Sequence, residues 1–153
     1  MELDEIDIAL INELQLNPDI DIEELRDRIN SKLNRKLSTS TIYHRRSKLL
    51  EKGILKKAYI PDYEKIGKPT LAFIAIKFDG HDDEMLRKLT EFPGVMEVHA
   101  VSGHYDVFLK VRTRNIEELA NLVFRIRTEN ILVKSTEIFV NLRTEKETPL
   151  IEV

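Results

Sequence analysis

Between residues 70 and 142 the chain repeats one unit twice, strand then helix then strand, and this repetition leaves few folds open to that half. The first copy reads as a strand over residues 71–78, a helix over 83–92 with Met85, Leu86, Leu89 and Phe92 turned inward, and a strand over 95–101. The second has a strand over 107–111 and a helix opened by Asn115 and Glu118, with Ile116, Leu119, Val123 and Ile126 along one face. A strand over 136–142 completes it. Short apolar runs in the strands and a period of about 3.6 in the helices carry the assignment. A βαββαβ order gives a four-stranded antiparallel sheet with both helices on one face, a ferredoxin-like α+β sandwich.

Such a sheet has a second face. Leu71, Ala72, Phe73, Ile74, Ala75 and Ile76 are apolar without alternation, and Val98, Ala100 and Val101 extend apolar character across the next strand. A strand apolar on both faces needs cover on both. With helices on one side only, the reading is either an isologous homodimer through the sheets or cover by the linker or wing that precedes them.

The first 60 residues follow a different pattern. Ile6, Ile8, Leu10, Ile11 and Leu14 sit mostly at helical spacings behind an N-cap at Asp4, and Pro18 ends that helix. Asp21 followed by Glu24 has the form of a capping box and opens a second helix through Leu25 and Ile29. Ser38, Thr39, Ser40 and Thr41 then precede Ile42, Leu49 and Leu50, and Gly53 suits the helix end. Lys56 and Lys57 begin an extended segment to Tyr59 and Ile60 that reads as a wing or β-ribbon. The whole is a winged helix-turn-helix over residues 1–60, joined by a hinge over 61–69 to the sandwich over 70–146, with a tail over 147–153.

Charge follows this division. Residues 26–57 hold eleven Lys or Arg against two acidic residues, whereas residues 1–25 hold nine acidic residues and no basic one, within a net charge of −3. A basic segment placed in an acidic chain points to a polyanion, with double-stranded DNA as the first partner. In the third helix, Ser38, Thr39, Ser40, Thr41 and Lys48 are candidates to hold phosphates. Tyr43, His44, Arg45 and Arg46 are candidates to point outward to bases or their flanks. Lys32, Arg35 and Lys36 lie in a polar stretch that either lengthens the second helix or forms a basic loop.

Catalysis finds no support. His44, His81, His99 and His104 have no metal-ligand spacing, there is no Gly-rich phosphate loop, and Asp106 has no evident base or nucleophile beside it. The chain has no cysteine, so no disulfide or Cys-based metal site is expected, and no cofactor is called for. No apolar run approaches the roughly 20 residues that span a bilayer, and the N-terminus lacks a signal pattern. The expectation is a soluble, cytoplasmic, non-enzymatic protein without a membrane partner.

Taken together these residues resemble the Lrp/AsnC family of transcriptional regulators. Leu3, Asp4, Glu5, Ile6 and Asp7 are similar to the family's opening of helix one, and residues 38–55 to its recognition helix and exit. Residues 62–67 are similar to its hinge. Pro93-Gly94-Val95 matches the segment before the second strand, and Ser102-Gly103-His104-Tyr105-Asp106 resembles the turn of the ligand-sensing domain. The resemblance implies DNA binding as a dimer, with dimers assembling into tetramers, octamers or larger discs. It also implies an amino acid or related small metabolite sensed in clefts between dimers.

The implied effector residues are Ser102, Gly103, His104, Tyr105 and Asp106, with Thr136 on the last strand near the pocket. Their chemistry is compatible. Gly103 can take positive φ and let a ligand approach the backbone, while Asp106 can receive an ammonium. The same turn can be purely structural, with Gly103 closing a hairpin, Tyr105 packing and Asp106 accepting backbone hydrogen bonds. Three departures from the family pattern stand out. Glu129-Asn130-Ile131-Leu132 replaces the apolar-Pro-Gly before the last strand, Ile138 stands where a threonine is common, and residues 30–37 add length before the third helix. Two DNA-binding readings follow, an effector-responsive, sequence-specific regulator and an effector-independent architectural protein.

Overall fold

The computed structural model describes residues 2–80, 83–129 and 132–153. In chain order its elements are α1 (Glu5–Leu16), α2 (Ile22–Leu33), α3 (Thr39–Glu51), β1 (Thr70–Phe78), α4 (Asp83–Thr90), β2 (Val95–Ala100), β3 (Val107–Thr113), α5 (Ile116–Glu129) and β4 (Val133–Val140). They form two compact units, one of Met1–Tyr59 with Lys146–Val153 and the other of Ile60–Glu145.

In the first unit each helix begins where a side chain satisfies the free N–H groups of its first turn. Asp4 accepts from the N–H groups of Ile6 and Asp7, both at 2.9 Å, and Asp7 accepts in return from the Asp4 N–H at 3.4 Å. The reciprocal capping box thus lies on α1. Asp21 caps α2 by accepting from the Glu23 and Glu24 N–H groups. The residues added before α3 lengthen the second helix to Leu33, and Asn34 closes it in the left-handed region at φ 50°. Asn30 then holds the connection by bonding both the N–H (2.7 Å) and the C=O (3.0 Å) of Leu37. Leu10, Leu25, Ile29, Ile42 and Leu49 are fully buried where the helices meet. Each such side chain stabilises by about 1.5–3 kcal/mol relative to exposure.

The ribbon expected over residues 56–60 does not form. None of those residues pairs in a ladder with any described residue, because a ribbon needs two strands and the sequence offers one extended segment before Pro61. Residues 62–68 belong to the second unit as a capped turn. Asp62 accepts from the N–H groups of Glu64 and Lys65, and the Lys68 N–H donates to the Tyr63 carbonyl at 2.7 Å.

The second unit is an α+β fold with one antiparallel sheet in the order β2-β3-β1-β4. β1 and β3 are central, so the strand next to β1 in sequence, β2, is at the edge and its residues Val98 and Ala100 do not extend the β1 surface directly. Ala72, Ile74, Ile76 and Phe78 of β1 and Val107, Leu109 and Val111 of β3 face α4 and α5, whose Met85, Leu89, Leu119, Leu122, Val123 and Ile126 close the core. Gly94 is required between α4 and β2. It sits at φ +90°, and a Cβ there would lie 2.8 Å from the Arg112 carbonyl oxygen.

The opposite sheet face is partly open and mixed, with Leu71, Phe73, Ala75, Phe108 and Phe139 beside the charged Lys110, Arg112, Glu97 and Glu137. Leu71 and Ala75 are buried, but Phe73 (37% exposed) and its cross-strand neighbour Phe139 (44%) present their rings outward. At one end the Arg112 guanidinium stacks 4.1 Å from the centroid of the Tyr63 ring, so the turn over residues 62–68 covers part of this face.

Candidate functional site

α3 has one face for the core and one for solvent, and the division follows from 100° per residue. Ile42 and Leu49 are buried. The positions three and four residues after Ile42 lie on the same side, and they are Arg45 and Arg46. Both therefore flank the buried stripe instead of pointing outward. Arg45 Nη1 donates to Asp4 Oδ1 at 2.8 Å and to Asp7 Oδ1 at 2.9 Å, and Arg46 Nη2 donates to the Pro18 carbonyl at 3.3 Å. Burial works against the Arg45 cation, but the hydrogen bonds it donates to Asp4 and Asp7 outweigh it and raise its pKa. The Asp7 N–H bond, with Arg45 beside it, holds the Asp4 carboxyl below its ordinary value.

The outward stripe is Ser40, Tyr43, His44, Ser47 and Lys48. Ser40, Tyr43, His44 and Lys48 are exposed and Ser47 is half-buried. Tyr43, 57% exposed, meets His44 edge to face at 5.7 Å between centroids. Ser47 joins this stripe by spacing alone, seven residues from Ser40 and four from Tyr43. Before this stripe, Ser38 is the N-cap and its Oγ accepts from the Thr41 N–H at 3.1 Å. Thr39 is turned inward and its hydroxyl accepts from Arg26 at 2.9 Å. Thr41 is half-buried beside the cap.

The charge contrast between the first and second stretches of the chain is partly internal. Arg28 pairs with Glu24 and Glu13, Lys32 with Glu13, Arg35 with Glu5, Arg45 with Asp4 and Asp7, Lys57 with Asp19, and Arg26 with Asp27. Among the described residues Lys36, Lys48, Lys52 and Lys56 make no ion pair and Arg46 donates to the Pro18 carbonyl, so the cations open to a polyanion are fewer than the sequence count.

In the second unit the turn between β2 and β3 carries the other candidate residues. Ser102, Gly103 and His104 are exposed, and Gly103 has φ +129° with open space where a Cβ would stand. Asp106 is held within the fold. Its Oδ2 accepts from the Phe78 N–H at 2.8 Å where the β1–β4 register shifts, its Oδ1 takes the Lys77 ammonium at 3.0 Å, and its own N–H donates to the Ile76 carbonyl at 2.9 Å. The Tyr105 hydroxyl donates to Glu137, which raises its pKa, and its ring packs edge-on to His104 and Phe108. Thr136 is half-buried on β4 opposite Ile76, with Ile138 one step further along the same strand face. His81, Asn130 and Ile131 lie outside the described residues. Among the described residues there is no group of His, Asp or Glu suited to a metal ion, and no helix is long and apolar enough to cross a membrane.

Solved structures with this architecture define the class. The chain superposes on Escherichia coli AsnC with a TM-score of 0.83 at 25% identity, covering 98% of this chain and 99% of that one. The transcriptional regulator NMB0573 from Neisseria meningitidis, solved as a complex with L-Met, aligns with a TM-score of 0.85 at 23% identity over 97% of this chain and 95% of that one. The fold is thus that of transcriptional regulators and not of an enzyme. The profile of the Lrp/AsnC ligand binding domain matches residues 71–151, and the HTH-type transcriptional regulator FL11 of Pyrococcus horikoshii is 38% identical over 148 residues, 95% of this chain and 93% of that protein. The chain belongs to the Lrp/AsnC family of transcriptional regulators.

Proposed function

We propose that this regulator binds double-stranded DNA through a helix-turn-helix made of α2 and α3, with α3 as recognition helix. The observation that carries the reading is the division of α3, in which Arg45 and Arg46 are used internally and Ser40, Tyr43, His44, Ser47 and Lys48 form a polar, partly aromatic outer stripe. Such a stripe suits a major groove. Hydroxyl, phenol and imidazole groups can each donate to or accept from base edges, and Lys48 with the exposed hydroxyls of Ser38 and Ser40 suits phosphates. Lys36, Lys52 and Lys56 add charge without sequence information. Arg45 acts as a positioning residue that fixes α3 against the start of α1.

Half-site binding calls for two copies of α3. The exposed cross-strand pair Phe73 and Phe139 on the open sheet face supports an isologous dimer through the sheets, from which larger assemblies can build. An amino acid is the proposed effector class, in keeping with the L-Met complex of the Neisseria protein. It would meet Ser102, Gly103 and His104 at the exposed part of the turn, with Tyr105 and Thr136 beside it.

One observation favours the effector-independent architectural reading. Asp106 already holds the Lys77 ammonium and the Phe78 N–H, which leaves its carboxylate less able to receive the ammonium of a free amino acid. Selection of bound fragments from sheared genomic DNA, with and without the twenty amino acids, separates the two. A pseudo-palindromic motif whose recovery changes with the amino acids supports the responsive regulator. Fragments without a motif, released together by modest salt, support the architectural protein and sink base reading by α3.

A further inference from the structure

The last residues of the chain return to α1 in the first unit, and two side-chain amides hold them. Asn12 Nδ2 donates to the Val153 main-chain oxygen at 3.1 Å while the Val153 N–H donates to Asn12 Oδ1 at 3.1 Å. Gln15 repeats the arrangement on Ile151, its Nε2 donating to the carbonyl at 2.7 Å and its Oε1 accepting from the N–H at 3.0 Å. Each carboxamide thus acts as one residue of a β ladder, offering a donor and an acceptor to both groups of a single peptide residue.

The spacing fits. In an extended chain the N–H and C=O of residues i and i+2 point to the same edge, about 6.6 Å apart. Residues three apart on a helix are neighbours on one face, about 4.5 Å apart along the axis, and the longer glutamine side chain helps span the difference. Gln15 meets Ile151 and Asn12 meets Val153, so the segment runs antiparallel to α1. Leu16 and Lys32 border a recess of about 290 Å³ beside Leu150 and Ile151. The Ile151 side chain itself is 71% exposed, so it is the backbone of that residue and not its side chain that α1 holds.

We propose that the outer face of α1 is a docking site for an extended peptide read through its backbone, and that its occupant is this chain's own residues 151–153. Both α1 and this segment lie within the first unit. The proposal does not depend on which DNA the protein binds.

Amide hydrogen exchange on the full chain tests it. The Ile151 and Val153 amides should exchange at least ten-fold more slowly than in an unstructured peptide. The double substitution Asn12→Ala and Gln15→Ala should remove that protection while leaving the α1 core amides protected, since alanine favours helix. Ile151→Pro removes the donor to Gln15 and should release the segment, whereas Ile151→Ala should not. Free-peptide exchange in the unsubstituted protein, or protection that survives the double substitution, would overturn the assignment. Because the chain has no cysteine, the pair Leu16→Cys and Leu150→Cys, which border the same recess and leave Asn12 and Gln15 in place, can be joined by a short bismaleimide that adds one thiol across each maleimide double bond. A product of monomer size supports the chain's own segment as occupant, and a covalent dimer shows that a second copy supplies it, contrary to the proposal.

Discussion

Replacing Arg45 with alanine should destabilise the first unit and leave the DNA sequence preference intact, which separates an anchoring arginine from a base-reading one. The Arg45 side chain is 30% exposed and lies 2.9 Å from an Asp7 carboxylate that is only 10% exposed, with Asp4 completing the triad. Breaking a buried pair costs about 3–5 kcal/mol and a surface pair about 0–1 kcal/mol. This half-buried site falls between, so the expected loss is about 2 kcal/mol. For a unit of this size that corresponds to a fall in Tm of roughly 8–16 °C. Helical circular dichroism during heating reads the loss.

The pH dependence has a defined sign. The folded-state pKa of Asp4 is lowered, so its contribution is present above the unfolded value near 3.8 and is lost as pH falls through the folded value. The gap between wild type and Arg45→Ala should therefore narrow in strong acid. Below the variant's melting temperature, affinity for a selected site should stay within about three-fold, whereas loss of a bidentate base contact would cost about 1–3 kcal/mol. A stability change under about 0.5 kcal/mol with a relaxed motif would refute the reasoning, since Arg45 would then be reading bases.

Three further outcomes follow from the geometry. Gly94→Ala should destabilise the second unit by more than about 1 kcal/mol, because positive φ is strained for alanine and the new Cβ meets the Arg112 carbonyl; urea unfolding of the full chain measures it. Asp106→Ala should cost about 1–3 kcal/mol in the same assay by leaving the Phe78 N–H and the Lys77 ammonium without their acceptor. Lys48→Gln should lower the slope of log affinity against log salt by about 0.9 per half-site, whereas Arg28→Gln, already paired with Glu24 and Glu13, should leave the slope nearly unchanged.

What was legible in the sequence was periodicity. Short apolar strand runs, the helix stripes ending at Leu14 and Ile126, and the cap at Asp4 translate directly into elements because they depend on neighbours within a few residues. The outward aim assigned to Arg45 and Arg46 failed for a local reason. Positions three and four after a buried Ile42 share its face, and that spacing was in plain view. The charge step between residues 25 and 26 was read as an outward signal, yet much of it closes into pairs such as Arg35 with Glu5 and Lys57 with Asp19, which are set by helix packing that a linear count does not contain. The return of residues 151–153 to α1 left no trace in side-chain pattern at all. Backbone recognition imposes almost no side-chain requirement on its occupant, and the partners are 136 and 141 positions apart.

The measurement closest to the central claim is the affinity of the full chain for its selected site and for a scrambled duplex, before and after Tyr43→Ala with His44→Ala. Both residues are exposed on the outer stripe of α3 and contribute nothing to the buried core, so the variant should fold normally. The account predicts that preference for the selected site collapses toward that for the scrambled duplex while the salt-dependent affinity for both remains. Unchanged preference in the folded variant would contradict it and move DNA recognition away from this face of α3.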